Sequence, residues 1–335
     1  MILSKTPVRI EIGGGATDVE PYSTDYGGYV INTTIDKFVR AFINIKDDNK
    51  IKIFTETKKT TYLIEEIEEK IKNSKDFDLI DAILFFIKPQ IGFNMYIDVE
   101  APKKAGLGAS ASLCTAILGA FCILNDENLD INKIAENAYY IEQEILKNEG
   151  GRQDQYAAVY GGFNEMEFLG GNNVKVNKLN LSKSFKKELE QNLILFYTGE
   201  PHVSGSMVKK QVDFYLKDKE KAKKFLDKLK EIAYCMRDTL LEEDFYSFGK
   251  LLIEDWIEKS KFNPFLTTEY MKSLNNMVMK NGGIGGRVCG AGGGGSFIWL
   301  VDSKKREVIK EILKKQQGKL ISYKFIEKGI EISNI

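Results

Sequence analysis

Apolar and polar residues alternate along residues 7–13, and again from Asn94 to Glu100, where Met95, Ile97 and Val99 mark one face. Such a period of two predicts strands. Val30 to Ile35, Phe38 to Ile45 and Ile51 to Thr55 are rich in β-branched and aromatic residues and predict further strands. Residues 62–88 are charged and helical in pattern, giving two surface helices broken near Asn73-Ser74. From Ser110 to Leu124, Leu113, Ile117, Ala120, Phe121 and Leu124 recur at helical spacing. Helices are also predicted over 131–147 and Gln153 to Tyr160. Phe163 to Phe168 and Leu193 to Tyr197 read as strands, with a polar hairpin arm over 172–181. The second half predicts helices near 204–216, 218–242, 244–259 and 267–280, then a strand from Ser296 to Val301, a helix over 303–316 and a final strand over 319–327. Strands and helices fall in blocks, which favours α+β over a doubly wound sheet. A boundary near 182–190 divides the chain into domains 1–185 and 186–335.

Composition adds exclusions. A chain of 335 residues exceeds the usual size of one core, which supports two domains. With 48 Lys+Arg against 48 Asp+Glu there is no general pull toward nucleic acid or membrane. The lysine-rich stretches near 183–187 and 219–230 carry interleaved acids and read as solvated helix faces. One histidine, His202, removes His-rich metal sites and most histidine-dependent triads. Cys114, Cys122, Cys235 and Cys289 form no CxxC pair and are expected to be reduced and packed. The first residues carry no signal-peptide core, and no apolar run approaches ~18 residues. A cytoplasmic enzyme is the expectation.

Glycine placement is the strongest chemical signal. Nine glycines fall between Gly282 and Gly295, and others come as Gly13-Gly14-Gly15, Gly106 with Gly108, and Gly150-Gly151. Between a predicted strand and a predicted helix lies Pro102-Lys103-Lys104-Ala105-Gly106-Leu107-Gly108-Ala109-Ser110-Ala111-Ser112. A helix N-terminus offers unpaired N–H groups and a partial positive charge to an anion. Gly106 and Gly108 remove the Cβ atoms that would hold a phosphate away. The Walker A pattern is absent. Gly106-x-Gly108-x-x-Ala111 and Gly290-x-Gly292-x-x-Gly295 match a dinucleotide fingerprint without its strand–helix context.

Three charged residues stand out. On the 131–147 helix, Ile134, Ala138, Ile141 and Ile145 form an apolar face that includes Glu142, while Glu144 projects on the opposite edge. A carboxylate on a buried face must pair with a buried base or hold a cation. Asp154 starts a helix after Gly150-Gly151, as a capping residue or as a hydrogen-bond acceptor for a ligand. Arg9 lies on the first strand, either as a surface arginine or facing a site.

Three segments together resemble the GHMP kinases: Pro7-Val8-Arg9-Ile10-Glu11-Ile12-Gly13-Gly14-Gly15-Ala16-Thr17-Asp18, the Pro102–Ser112 loop, and Gly290-Ala291-Gly292-Gly293-Gly294-Gly295. Within the family, Gly14 to Asp18, Gly27-Gly28-Tyr29-Val30, Gly151-Arg152-Gln153-Asp154-Gln155-Tyr156-Ala157-Ala158 and Gly161-Gly162-Phe163-Asn164 are similar to sugar kinases of the D-glycero-D-manno-heptose 7-phosphate kinase type. The resemblance implies an N-terminal mixed sheet with helices (ribosomal-S5-like) and a C-terminal ferredoxin-like α/β sandwich. It also implies ATP bound by Lys103 to Ser112, Mg²⁺ held by Ser110 and Glu142, Asp154 taking or orienting the acceptor proton, and Arg9 offsetting charge. Gly14, Gly15, Thr17, Asp18, Arg152, Gln153, His202, Gly292 and Gly293 are the implied substrate contacts.

The pattern departs from the family at three places, one of them the segment from Glu258 to Pro264, which is shorter than its family counterpart but keeps Asn263-Pro264. Ala109 replaces the first serine of a common pair, and His202 stands where the heptose kinases carry an arginine. If that arginine serves the sugar phosphate, the 7-phosphate specificity does not carry over with the motif. The implied activity is ATP- and Mg-dependent transfer to a sugar or sugar phosphate, foremost the anomeric hydroxyl of a heptose 7-phosphate. A kinase for a hexose, inositol or other polyol or a mevalonate-like alcohol, and a non-catalytic nucleotide-binding regulator, stand as alternatives. No nucleic-acid or membrane partner is expected, and a homodimer is left open.

Overall fold

The computed structural model describes every residue except 73–76, 126 and 202–203. The expected helix break at Asn73-Ser74 and the substrate contact His202 therefore lie outside the described residues. In chain order the first half comprises β1 (Ile2–Gly13), α1 (Tyr22–Tyr26), β2 (Gly28–Lys46), β3 (Lys50–Phe54), β4 (Lys59–Leu63), α2 (Ile67–Lys72), α3 (Leu79–Ile87), β5 (Gly92–Val99), α4 (Ala109–Leu124), α5 (Ile131–Tyr140), α6 (Gln153–Tyr160), β6 (Phe163–Phe168) and β7 (Val174–Lys178). The second comprises α7 (Lys183–Asn192), β8 (Leu193–Tyr197), α8 (Ser204–Lys217), α9 (Lys219–Leu241), α10 (Phe245–Phe262), α11 (Glu269–Lys280), β9 (Gly283–Val288), β10 (Ser296–Val301), α12 (Arg306–Lys314), β11 (Lys319–Ile321) and β12 (Glu331–Asn334).

The first sheet runs β12-β1-β2-β5-β3-β4, with β6 paired to β2 and β7 to β6. It is mixed, because β3 and β5 run parallel while the other pairs are antiparallel. The second sheet, β11-β8-β10-β9, is antiparallel. The architecture is α+β, as its block pattern predicts. Helix α4 buries Cys114, Ile117 and Phe121 in the core over the first sheet. A second core joins Val8, Ile10 and Ile12 of β1 to Leu195 of β8 and Ile298 and Leu300 of β10. The back of β1 thus rests on the second sheet, and its other face is free to build a site.

Several elements differ from expectation. Val30–Ile35 and Phe38–Ile45 are one strand, β2, which bends where its register against β1 shifts beside Pro7 and Val8. A strand, β9, lies inside the glycine stretch. The final strand stops at Ile321, and the chain then returns through a bridge between Ile35 and Phe325 to lay β12 on β1. The expected 131–147 helix ends at Tyr140 and continues as a π-turn over Ile141–Ile145. The 185/186 boundary falls within α7. Cys114 and Cys289 are buried and Cys122 half-buried, but Cys235 is exposed rather than packed. Among the described residues no helix is long and apolar enough to cross a membrane.

Candidate active site

The loop before α4 is shaped by backbone that a side chain would oppose. Gly106 and Gly108 have φ of 72° and 74°, and Gly108 caps α4. That geometry starts the helix with its first-turn N–H groups, those of Ala109, Ser110 and Ala111, lacking any acceptor within the helix. Lys104 to Ala111 line a cleft whose other walls carry Arg9, Asp18, Glu142, Asp154, Gly290 and Ala291. The loop is pinned to β1, where Arg9 N donates to Leu107 O at 3.0 Å and Ser112 Oγ to Pro7 O at 2.8 Å.

Alternation on β1 turns Arg9 and Glu11 away from the Val8–Ile10–Ile12 core face and toward the cleft. Arg9 is buried, so it is not a surface arginine. It makes a two-pronged pair with Asp154, Nε to Oδ1 at 2.8 Å and Nη2 to Oδ2 at 3.0 Å. Its Nη1 donates to Gly106 O at 2.5 Å. Burial opposes the charge on Arg9, but Asp154 and Glu11 outweigh it and strengthen its hold on the proton. Asp154, in the first turn of α6, keeps 27% of its side chain exposed.

Beside this pair, Glu142 is buried, as its place on the apolar face predicts. It accepts from Ser110 Oγ at 2.6 Å and Gln155 Nε2 at 2.7 Å. Both are neutral donors, and burial pushes its carboxyl up to about 7. Glu144 points outward to Lys147. Asp18 is also buried; burial first, then the neighbouring charge of Glu11, raises it to about 6. The backbone N–H of Gln153 holds it at 3.1 Å. A Cβ on Gly151 would overlap this carboxylate, which accounts for glycine there.

Four residues form a cluster that was not anticipated from the sequence. Glu11 binds Lys259 Nζ at 2.5 Å, Arg287 Nη2, and Gln153 Nε2 at 3.1 Å. Asp255 forms an ion pair with Arg287 Nη1 at 2.8 Å and accepts the N–H of Gly14 at 3.1 Å. Burial works to raise Glu11, but Lys259, Arg287 and Arg9 together hold it near 2. Burial raises Asp255 against the pull of Arg287 and Lys259. Two signals were available: period two on β1 puts Glu11 beside Arg9, and spacing of four puts Asp255 and Lys259 on one face of α10.

Other expected contacts lie elsewhere. Thr17 is buried and spends its hydroxyl on Gly14 O and Tyr29 O at 2.7 and 2.9 Å. Gly14 and Gly15 shape the same turn against Asp255 and Glu11 and do not line the cleft. Arg152 turns into a neighbouring depression, bonded to Glu20 at 2.9 Å and stacked on Tyr139. Gly292 and Gly293 pack against Leu266 and Met207, while Gly290 and Ala291 face the cleft. Lys103 is exposed and Ser112 is buried under the loop, both outside the lining.

The GHMP kinases N terminal domain family matches residues 74–162, and the GHMP kinases C terminal family matches residues 236–319. A D-glycero-alpha-D-manno-heptose 7-phosphate kinase from Campylobacter jejuni is 30% identical over 338 residues, spanning 98% of each chain. The chain belongs to the GHMP kinase family. It is a phosphotransferase with an alcohol group as acceptor. A solved D-glycero-D-manno-heptose 1-phosphate kinase from Bacteriodes thetaiotaomicron superposes with a TM-score of 0.82 at 27% identity, covering 100% of this GHMP kinase and 99% of that chain. A Pyrococcus furiosus galactokinase is 26% identical over 353 residues, covering 96% of this chain and 95% of its own.

Proposed function

We propose that this GHMP kinase transfers the γ-phosphoryl group of ATP to a hydroxyl of a sugar phosphate, foremost the anomeric hydroxyl of a heptose 7-phosphate. The observation that carries the reading is the Arg9–Asp154 pair facing the Gly106–Ala111 loop across one cleft. The loop's first-turn N–H groups receive phosphate oxygens. Asp154 accepts the proton of the acceptor hydroxyl as the hydroxyl oxygen bonds to the γ-phosphorus and the bond from that phosphorus to the ADP oxygen breaks. Arg9 holds Asp154 in place and offsets the charge that develops on the transferred group. No covalent enzyme intermediate is involved.

The donor set fits Mg²⁺. Glu142 is a buried carboxylate with two neutral donors around it, and Ser110 adds a hydroxyl. Among the described residues no three His, Cys, Asp or Glu side chains gather around one point, so phosphate oxygens and water would complete the shell. When bound, the ion would offset phosphate charge and orient the nucleotide.

The relatives' names, a heptose 7-phosphate kinase and a heptose 1-phosphate kinase, support a heptose acceptor. The test is ADP release with ATP, Mg²⁺ and one of heptose 7-phosphate, galactose, inositol or mevalonate. The reading expects turnover on the heptose phosphate above the others. Turnover on mevalonate or inositol alone would replace the acceptor, and turnover on none would remove the reading.

A further inference from the structure

One face of α8 lines the cleft near the turn that carries Asp18. Val208 and Gln211 are three residues apart, share that face and line the cleft. Gln211 lies next to Ala16 and Val19, which flank the Thr17–Asp18 turn. It is only 4% exposed, and its amide nitrogen has no hydrogen-bond partner among the described residues. Buried polar groups are almost always partnered, and an orphan donor on a residue that lines a binding cleft points to a ligand atom as its acceptor.

The surroundings define that ligand. In the same cleft, Glu149 has a buried Oε2 without a hydrogen-bond partner among the described residues, although Lys209 lies 3.8 Å from its other oxygen. Asp18 presents a second carboxylate. Carboxylates accept and the amide nitrogen donates, so this end suits groups that do both, which hydroxyls can. A phosphate carries about −1.5 to −2 charge at pH 7 and would meet two carboxylates.

We infer that Gln211 is a specificity-determining residue whose amide NH₂ donates to a hydroxyl oxygen of a polyhydroxylated acceptor at the Asp18 end of the cleft. This rests on the kinase reading of the same cleft. A phosphate carried by the acceptor lies outside this end.

The test compares the wild type with Gln211→Leu and Gln211→Met, which keep the volume and remove the donor. The acceptor is whichever of heptose 7-phosphate, galactose, inositol or mevalonate supports ADP release, together with its single-deoxy analogues. Both variants should raise the KM of the acceptor about tenfold or more, the scale of one hydrogen bond. The KM for ATP should move less than about twofold, and the ligand-free melting temperature should hold or rise as an orphan polar group is removed. One deoxy analogue should lower wild-type kcat/KM by a similar factor and cost the variants nothing further. An unchanged acceptor KM, an equal rise in the KM for ATP, or additive losses on every analogue would overturn the inference. A wild type that turns over none of these acceptors would overturn the kinase reading and this inference with it, an outcome distinct from an active wild type with unaffected variants.

Discussion

Two buried carboxylates that line one cleft behave in opposite ways. Glu11 is surrounded by Lys259, Arg287 and Arg9 and is held near 2. Glu142 accepts hydrogen bonds from Ser110 and Gln155, has no cationic partner among the described residues, and is pushed up to about 7. Burial acts on both in the same direction, so the difference is the cations. The Glu11–Lys259–Arg287–Asp255 cluster is balanced within the protein and ties β1 to α10 and β9. Among the described residues no basic side chain balances Glu142 beside Ser110, which is what a cation-binding position requires. Changes in the first region should therefore cost folding, and changes in the second should cost ligand response.

The largest expected stability effect comes from breaking the balanced cluster. Lys259→Met removes one cationic partner from buried Glu11. Urea unfolding should show a loss of about 3–5 kcal/mol, the range for one partner removed from a buried pair. A loss below about 1 kcal/mol would mean that the cluster does not hold the two sheets together.

Glu142→Gln should behave in the reverse sense. The folded-state value of Glu142 is raised from 4.5 to about 7. Its favourable contribution is thus present below pH 4.5 and is lost as pH rises through about 7. Without metal, the melting temperature of the variant relative to wild type should climb between those pH values and level off above. Mg²⁺ with ATP should raise the wild-type melting temperature at pH 8 and raise the variant's much less. A variant that responds to Mg²⁺ as the wild type does would remove Glu142 from the cation site.

A smaller effect is expected at Asp18. If Asp18 accepts from acceptor hydroxyls as proposed, protonation below about pH 6 turns it into a partial donor. The KM of the acceptor should therefore rise severalfold from pH 7 to 5, while Asp18→Asn should show a high KM with little pH slope. The smallest effect belongs to Glu144→Ala, since Glu144 faces solvent; its Mg²⁺ response should match wild type.

The same contrast between local and distant determinants explains what could be read in the chain. Phe163–Phe168, Leu193–Tyr197, Ser296–Val301 and Gln153–Tyr160 have the bounds that their patterns predict, because each pattern is local. Glu142 was legible for the same reason: one helical face carries the signal, and the π-turn leaves it pointing inward. β9 was hidden by its own glycines. A Cβ at Gly285 would overlap the backbone of Gly249, and one at Gly286 the ring of Trp299, so the strand cannot show a side-chain pattern. β12 pairs with β1 from the opposite end of the chain, and the Glu11 partners are 248 and 276 residues away. No window of sequence holds such contacts. Thr17 and Arg152 sit in motif positions, yet their bonds are to Tyr29 and Glu20, which only the assembled fold brings to them.

The central claim is that Asp154, held by Arg9, handles the acceptor proton beside a nucleotide-phosphate loop. Its most direct test is Asp154→Asn, measured for kcat with the acceptor identified by ADP release and for ATP affinity by calorimetry. The account predicts a loss of about 10²–10⁴-fold in kcat, the usual share of general-base chemistry, with ATP affinity within about threefold of wild type. Full turnover in Asp154→Asn, or a loss explained wholly by weaker ATP binding, would contradict it.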